Sequence, residues 1–235
     1  MFFTMFIGVF SSIIIFIVLI LFKFIIPVLL FNYNLITFDE KELLIELNYN
    51  QEKIVLNKSY NNIQLDDFSI SKLQFYISNL KFYLNNKEVL EFDKKHILID
   101  IEDESSLKIL IPSKLLFDEL SFNLGIDEET NKSGAKGGDL DPILGMYWTW
   151  NSGYINFKAE GIYNNNNEFL YHIGGFMKPY NTLQLIKIDL SSVNKNKLML
   201  NFDEFFNNID FNLSKILSPG KNAVKLSSLL AKSIN

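Results

Sequence analysis

Between Phe38 and Asp210 the apolar residues come in short runs, each closed by a cluster of Asn, Asp, Gly or Ser. Runs this short leave little room for core-facing helices and restrict the chain to strands joined by turns. His96 to Ile101 alternates, with Ile97, Ile99 and Ile101 on one face and His96, Leu98 and Asp100 on the other. Leu43 to Leu56 reads as two strands around Asn48, Tyr49, Asn50 and Gln51. Leu73 to Leu84 is rich in aromatic and β-branched residues, and Phe117 to Leu124 is a further strand. Met146 to Trp150 then turns at Asn151-Ser152-Gly153 and returns as Tyr154 to Tyr163. Four asparagines at 164 to 167 make the next turn, before strands over Glu168 to Ile173 and Thr182 to Leu190. This spacing predicts an all-β body: an antiparallel β-sandwich or a partly open barrel. Near the end the period changes. Ser218 reads as an N-cap, Pro219 as the first helical residue, and Val224, Leu226, Leu229, Leu230 and Ile234 as one face of a short C-terminal helix.

The first 22 residues carry no charged side chain and are rich in Ile, Phe, Leu and Val. As a helix they reach about 30 Å, the thickness of a bilayer core. A secretory signal peptide would have a basic start and small residues at its cleavage site. Neither is present, and Phe24 to Leu30 prolongs the apolar stretch past Lys23. The expectation is a transmembrane helix or signal anchor over 1–31 and a folded domain over 34–235. Flanking charge does not orient the segment, because no Lys or Arg precedes it.

Among the 235 residues, 22 are basic and 27 acidic, and the lysines are scattered; nucleic-acid binding has no basic stripe to rest on. The absence of Cys removes disulfides, thiolate metal sites and Cys nucleophiles, so a soft metal would have to be held by His or Met. No Gly-rich phosphate loop, H-E-x-x-H or G-x-S-x-G motif occurs, so the chain is expected not to be an enzyme.

Six blocks occur in order: LQFYISNL at 73–80, HILIDIED at 96–103, LSFNLGID at 120–127, GGDLDPILGMYWTWNSGYINFKAEG at 137–161, FLYHIGG at 169–175 and LSPGKNAVKLSSLLAKSI at 217–234. Together they resemble the MbnP-like copper-binding family over nearly everything after the apolar segment. The resemblance implies an extracytoplasmic, periplasmic-side domain that binds copper and does not turn over a substrate. It also implies oxidation of a Trp to kynurenine by a partner resembling a dihaem cytochrome c peroxidase. Related copper-site proteins place a His two residues from the modified Trp; this chain has Trp148-Thr149-Trp150.

An intact indole offers only an N–H donor, so a Trp matters to copper only after its ring is opened. Trp148 and Trp150 are therefore read two ways, as strand packing or as the modified residue. His172 and His96, the only histidines, are either hydrogen-bonded strand-end residues or copper ligands; Met146 and Met177 are core filling or soft ligands. The Gly-rich segment 125–145 carries Asp127, Glu129, Asn131, Asp139 and Asp141, hard oxygen donors suited to Ca²⁺ as a second cation site, or simply a solvated loop. The expected arrangement has His172 and the WTW hairpin facing one pocket, with His96 contributing. Two other functions stay open beside copper binding: a metal-free interaction or structural domain of the cell envelope, and an envelope enzyme using a carboxylate pair.

Overall fold

The structure is a computed structural model that describes residues 39–63, 67–150, 153–164, 166–190, 196–213 and 215–234. The predicted helix over 1–31 lies outside these residues. Among the described residues no helix is long and apolar enough to cross a membrane.

The chain is mostly strand. β1 (Glu40–Tyr49) turns through Asn50 and Gln51, both at positive φ, into β2 (Glu52–Lys53). After β3 (Ser59–Tyr60) comes β4 (Phe68–Leu84), which turns at Asn85 and Asn86 into β5 (Lys87–Glu91). Two consecutive positive-φ residues are what a tight hairpin with the right-handed strand twist demands, and Asn tolerates them better than most residues. β6 (His96–Asp100), β7 (Lys108–Pro112) and β8 (Glu119–Leu124) follow. Next come a short helix α1 (Glu128–Lys132), β9 (Tyr147–Trp148), β10 (Gly153–Tyr163) and β11 (Asn167–Gly174). The last elements are β12 (Gln184–Asp189), β13 (Lys197–Asn201), α2 (Asp203–Asn208), β14 (Lys215–Ile216) and α3 (Lys221–Ile234).

β4 organises the larger sheet. Phe75 pairs with both Phe157 of β10 and Ile99 of β6, whereas Ile77 pairs with Leu124 of β8 and Ile97 of β6. One edge of β4 thus takes β10 and then β8, and the other takes β3, β6 and β5. The register with β8 slips between Ser78 and Lys81, around Asn79 at positive φ, and the strand bends there. The result is a curled, open sheet that runs β12-β8-β4-β10-β11-β14. A smaller sheet, β13-β1-β2 with β7 on β1, lies against it. The strands are not all antiparallel: β1 runs parallel to β13, and β11 to β14.

The main core fills the space between the sheets. Ile45, Leu47, Leu198 and Leu200 from one sheet meet Phe75, Ile77, Phe157 and Ile173 from the other, with Phe202, Phe205 and Phe206 between. Leu226, Leu230 and Ile234, spaced one helical turn apart, seat α3 on this core. The helix starts later than its sequence suggests. Gly220 offers the carbonyl that receives the Val224 N–H, while Pro219 lies next to Gly175. This body spans Lys41–Ile111 and the chain from Leu115 onward; Asp39, Glu40 and Pro112–Lys114 belong to a separate small unit, where Ser113 donates to Asp39.

Candidate functional site

The segment 125–150 folds onto the outer face of the larger sheet, at the place where β8 and β10 meet on β4. Gly125, at φ +111°, begins it; its N–H donates to the Tyr76 carbonyl at 2.8 Å and its own carbonyl accepts from Ser78 at 2.6 Å. A Cβ there would lie 2.4 Å from Asn156 Cγ, so only Gly fits. Asn156 in turn accepts the Ile126 N–H at 2.9 Å.

The acidic and amide residues of this segment hold it together and do not converge on a cation. Asp127 caps α1, accepting the Thr130 N–H at 2.7 Å and its hydroxyl at 3.1 Å. Asn131 is buried; it donates to the carbonyls of Ile126 and Asp127 and accepts the Tyr154 N–H at 2.8 Å. The Asp139 carboxylate accepts the Leu98 N–H and pairs with Lys94, both at 2.8 Å. Asp141 caps the 3-10 turn Pro142–Leu144 through the Ile143 N–H. Glu129 points to solvent. The expected Ca²⁺ site is therefore not formed: the oxygens are used by backbone donors at four separate places.

Beneath the segment lies a second small core of Tyr76, Leu98, Ile126, Leu140, Met146, Trp148, Tyr154 and Ile155. Its hydroxyls are satisfied by the segment itself. Tyr76 donates to the Asp139 carbonyl at 2.9 Å and Tyr154 to that of Leu140 at 3.1 Å. Burial pushes both phenols above their ordinary range.

Beside this core, strand register aligns a polar row: His172 of β11 opposite Lys158 of β10, opposite Gln74 of β4, opposite Asp100 of β6. His172 Nε2 lies 2.6 Å from the Glu160 carboxylate, one step along the same face of β10. Burial lowers the imidazole pKa, and the Glu160 hydrogen bond opposes that shift. Lys158, only 6% exposed, donates from Nζ to the Gly145 carbonyl. Gln74 donates to Asp100 at 2.6 Å, and its buried carbonyl oxygen has no partner among the described residues.

Trp148 covers Gly174 on this face of β11. A Cβ on Gly174 would meet Trp148 Cζ3 at 2.7 Å and Cη2 at 3.0 Å, so the indole lies on the bare backbone of that glycine. Gly174 and His172 share a face of β11 two residues apart, roughly 7 Å along the strand. Trp148 and His172 thus lie on the same face of β11, with the Trp148 ring against Gly174. Trp150 is 65% exposed, with its ring centroid 5.8 Å from that of Trp148. Met146 is buried in the small core, and Met177 is exposed.

His96 is elsewhere. It opens β6, where its Nε2 lies 3.3 Å from the Thr130 hydroxyl and 3.8 Å from Asp127. From His172 it is three strand spacings across and four residues along, roughly 14 Å by 13 Å. The two histidines cannot hold one ion, which corrects the expected contribution of His96. Among the described residues no group of three or more His, Asp or Glu is placed to hold a metal.

The sequence model of the MbnP family matches residues 39–222. The chain belongs to the MbnP family. The solved structure of MbnP from Methylosinus trichosporium superposes with a TM-score of 0.55, over 79% of this chain and 86% of that one, at 12% identity. At that identity the likeness is one of fold. No curated protein matches the chain.

Within this MbnP-family fold, sequence reasoning overlooked Glu160 and Lys158. A signal for them existed. The asparagine turn after Tyr163 sets the β10–β11 register, and that register puts Lys158 across from His172 with Glu160 on the same face. The donor set meets copper only in part: one imidazole hydrogen-bonded to a carboxylate, on the face where the Trp148 ring covers Gly174.

Proposed function

We propose that this MbnP-family chain is a copper-binding protein of the cell envelope, tethered to the membrane by residues 1–31, with its site at His172 beside Trp148. The observation that carries the reading is the opening at Gly174, which seats the Trp148 ring on the same face as the His172–Glu160 pair. A carboxylate only accepts, so Glu160 holds the proton on Nε2 and leaves the lone pair on Nδ1. A lowered pKa keeps that imidazole neutral near pH 7. Copper, when bound, supplies a soft Lewis-acid centre that favours nitrogen donors where thiolate is unavailable. Intact Trp148 cannot ligate. Oxidation to kynurenine by a dihaem peroxidase-like partner, which family membership suggests, would place an aryl amine next to His172. The role is binding or relay of the metal, without turnover.

The test is a copper titration of the natively expressed full chain against a competing chelator, with mass spectrometry of the Trp148 peptide. We expect His172→Ala to lower copper affinity at least about tenfold without unfolding the domain. Unchanged copper affinity with a lowered melting temperature would make His172 a structural residue. A metal-free interaction domain would then lead, a reading favoured by the exposure of Ile143 (87%) and Trp150 (65%) on the same segment. N-terminal sequencing of the membrane fraction tests the tether; a mature chain starting near residue 30 refutes it.

A further inference from the structure

The chain has two tryptophans, and the fold places them differently. Trp148 is 6% exposed, held in the small core with its ring against Gly174. Trp150, in the turn that follows β9, is 65% exposed. The two rings still pack on each other: their centroids lie 5.8 Å apart and their planes meet at 45°. An indole can give up one electron and hold the resulting charge on its ring before any proton leaves. Two indoles in ring contact therefore offer an electron a path from the buried ring to the surface. The buried phenols nearby are poor carriers. Tyr154 packs edge-on against Tyr76 at 5.9 Å. A phenol is readily oxidised only where a base takes its proton, and the hydroxyls of Tyr76 and Tyr154 donate to the carbonyls of Asp139 and Leu140, which are not bases. These two phenols do not draw the charge further inward.

We propose that Trp150 is a surface relay through which Trp148 is oxidised by a one-electron oxidant too large to enter the small core. Trp150 gives one electron to the oxidant, which is reduced by one electron at the protein surface. The cation left on Trp150 then takes one electron from Trp148, and Trp150 returns to its starting state. Trp148 is left one electron short, and its indole N–H proton is released to water. No bond forms between the oxidant and either ring. The relay rests on the reading of Trp148 as the oxidised residue, and it explains how an oxidant that never touches Trp148 can reach it.

The test illuminates the full chain, held in detergent, with a ruthenium tris-bipyridine photo-oxidant and a cobalt(III) ammine as sacrificial electron acceptor. Peptide mass spectrometry follows oxidation of each tryptophan. Trp150→Phe keeps an aromatic ring over Trp148 but removes the oxidisable one. It should slow Trp148 oxidation at least about tenfold, whereas Trp148→Phe should leave Trp150 oxidation as in the wild type. Hydroxyl radicals are small enough to reach Trp148 directly and should modify it equally in the wild type and in Trp150→Phe. Trp148 oxidation that is unchanged or faster in Trp150→Phe makes Trp150 a cover only and overturns the proposal. An equal fall with hydroxyl radicals also overturns it, because the substitution has then altered the surroundings of Trp148. Misfolding of the variant would expose Trp148 and speed its oxidation, so it cannot imitate the expected result. An unmodified Trp148 in the natively expressed chain fails the functional reading instead, and Trp150→Phe decides the relay separately.

Discussion

The two buried clusters of this protein are built on opposite faces of one strand. Phe75 and Ile77 of β4 point into the main core, and Tyr76 between them points into the small core beneath residues 125–150. The main core is rich in Phe, with Phe157 packed against Phe202 and Phe205 at ring distances of 6.1 and 5.2 Å. The small core sets Tyr76, Tyr154, Trp148 and Met146 among Leu and Ile, and its Tyr hydroxyls end on carbonyls of the covering segment. Rings without polar atoms pack wherever shape allows, whereas a buried hydroxyl must find its acceptor and so fixes position. One face supplies stability; the other supplies placement, and both His172 and Trp148 sit on the second.

The largest expected effect comes from the first face. Phe157→Ala should cost about 3–5 kcal/mol and unfold both regions in one transition, as followed by urea denaturation with near- and far-UV circular dichroism. Two separate transitions would mean that the small core stands on its own. Gly174→Val should cost about 1–3 kcal/mol, because its Cβ meets both the Trp148 ring and the Tyr154 carbonyl. Trp fluorescence should shift and copper affinity should fall. A variant that keeps both would show that Trp148 placement is irrelevant to the metal. Tyr76→Phe should cost about 1 kcal/mol and speed amide exchange in 137–145, while exchange in β1 and β13 stays as in the wild type. Equal acceleration in both regions would erase the distinction drawn here.

The smallest effect is electrostatic. Burial is the chief cause that lowers the pKa of both His172 and His96 below the ordinary 6.5. The unfolded chain therefore binds protons that the folded chain refuses. The stability this confers is fully present above pH 6.5 and is lost as pH falls through the folded values. Urea midpoints measured between pH 7.5 and about 5 should decline, and His172→Gln should flatten the decline. Because both groups lie on the outer face, Phe157→Ala should keep the same slope.

The strands over 96–100, 119–124, 153–163, 167–174 and 184–189 follow the sequence pattern closely, because alternation and Asn turns are local signals. What the pattern hides is non-local. The parallel pairings of β1 with β13 and of β11 with β14 join distant segments and leave no mark in either. β4 does not alternate cleanly because both of its faces are covered around Tyr76, a fact that depends on where residues 125–150 fold. The acidic residues of that segment look alike in sequence, and only capping geometry separates Asp127 and Asp141 from a cation cage. That Trp148 and His172 share a face could be anticipated from the meander, but the depth at which the indole sits depends on how the backbones pack at Gly174.

The junction of β8 and β10 on a single edge of β4 has an evolutionary consequence. It brings the two ends of the covering segment together, with Ile126 already bonded to Asn156 of the returning strand. A segment whose ends are pinned side by side can change length freely, since each doubling of a loop adds only about 0.6 kcal/mol of closure entropy. The sheet is in effect a socket. Descendants of this fold could exchange the whole insert between Gly125 and Trp150, and with it the chemistry above His172, without redesigning a single strand below.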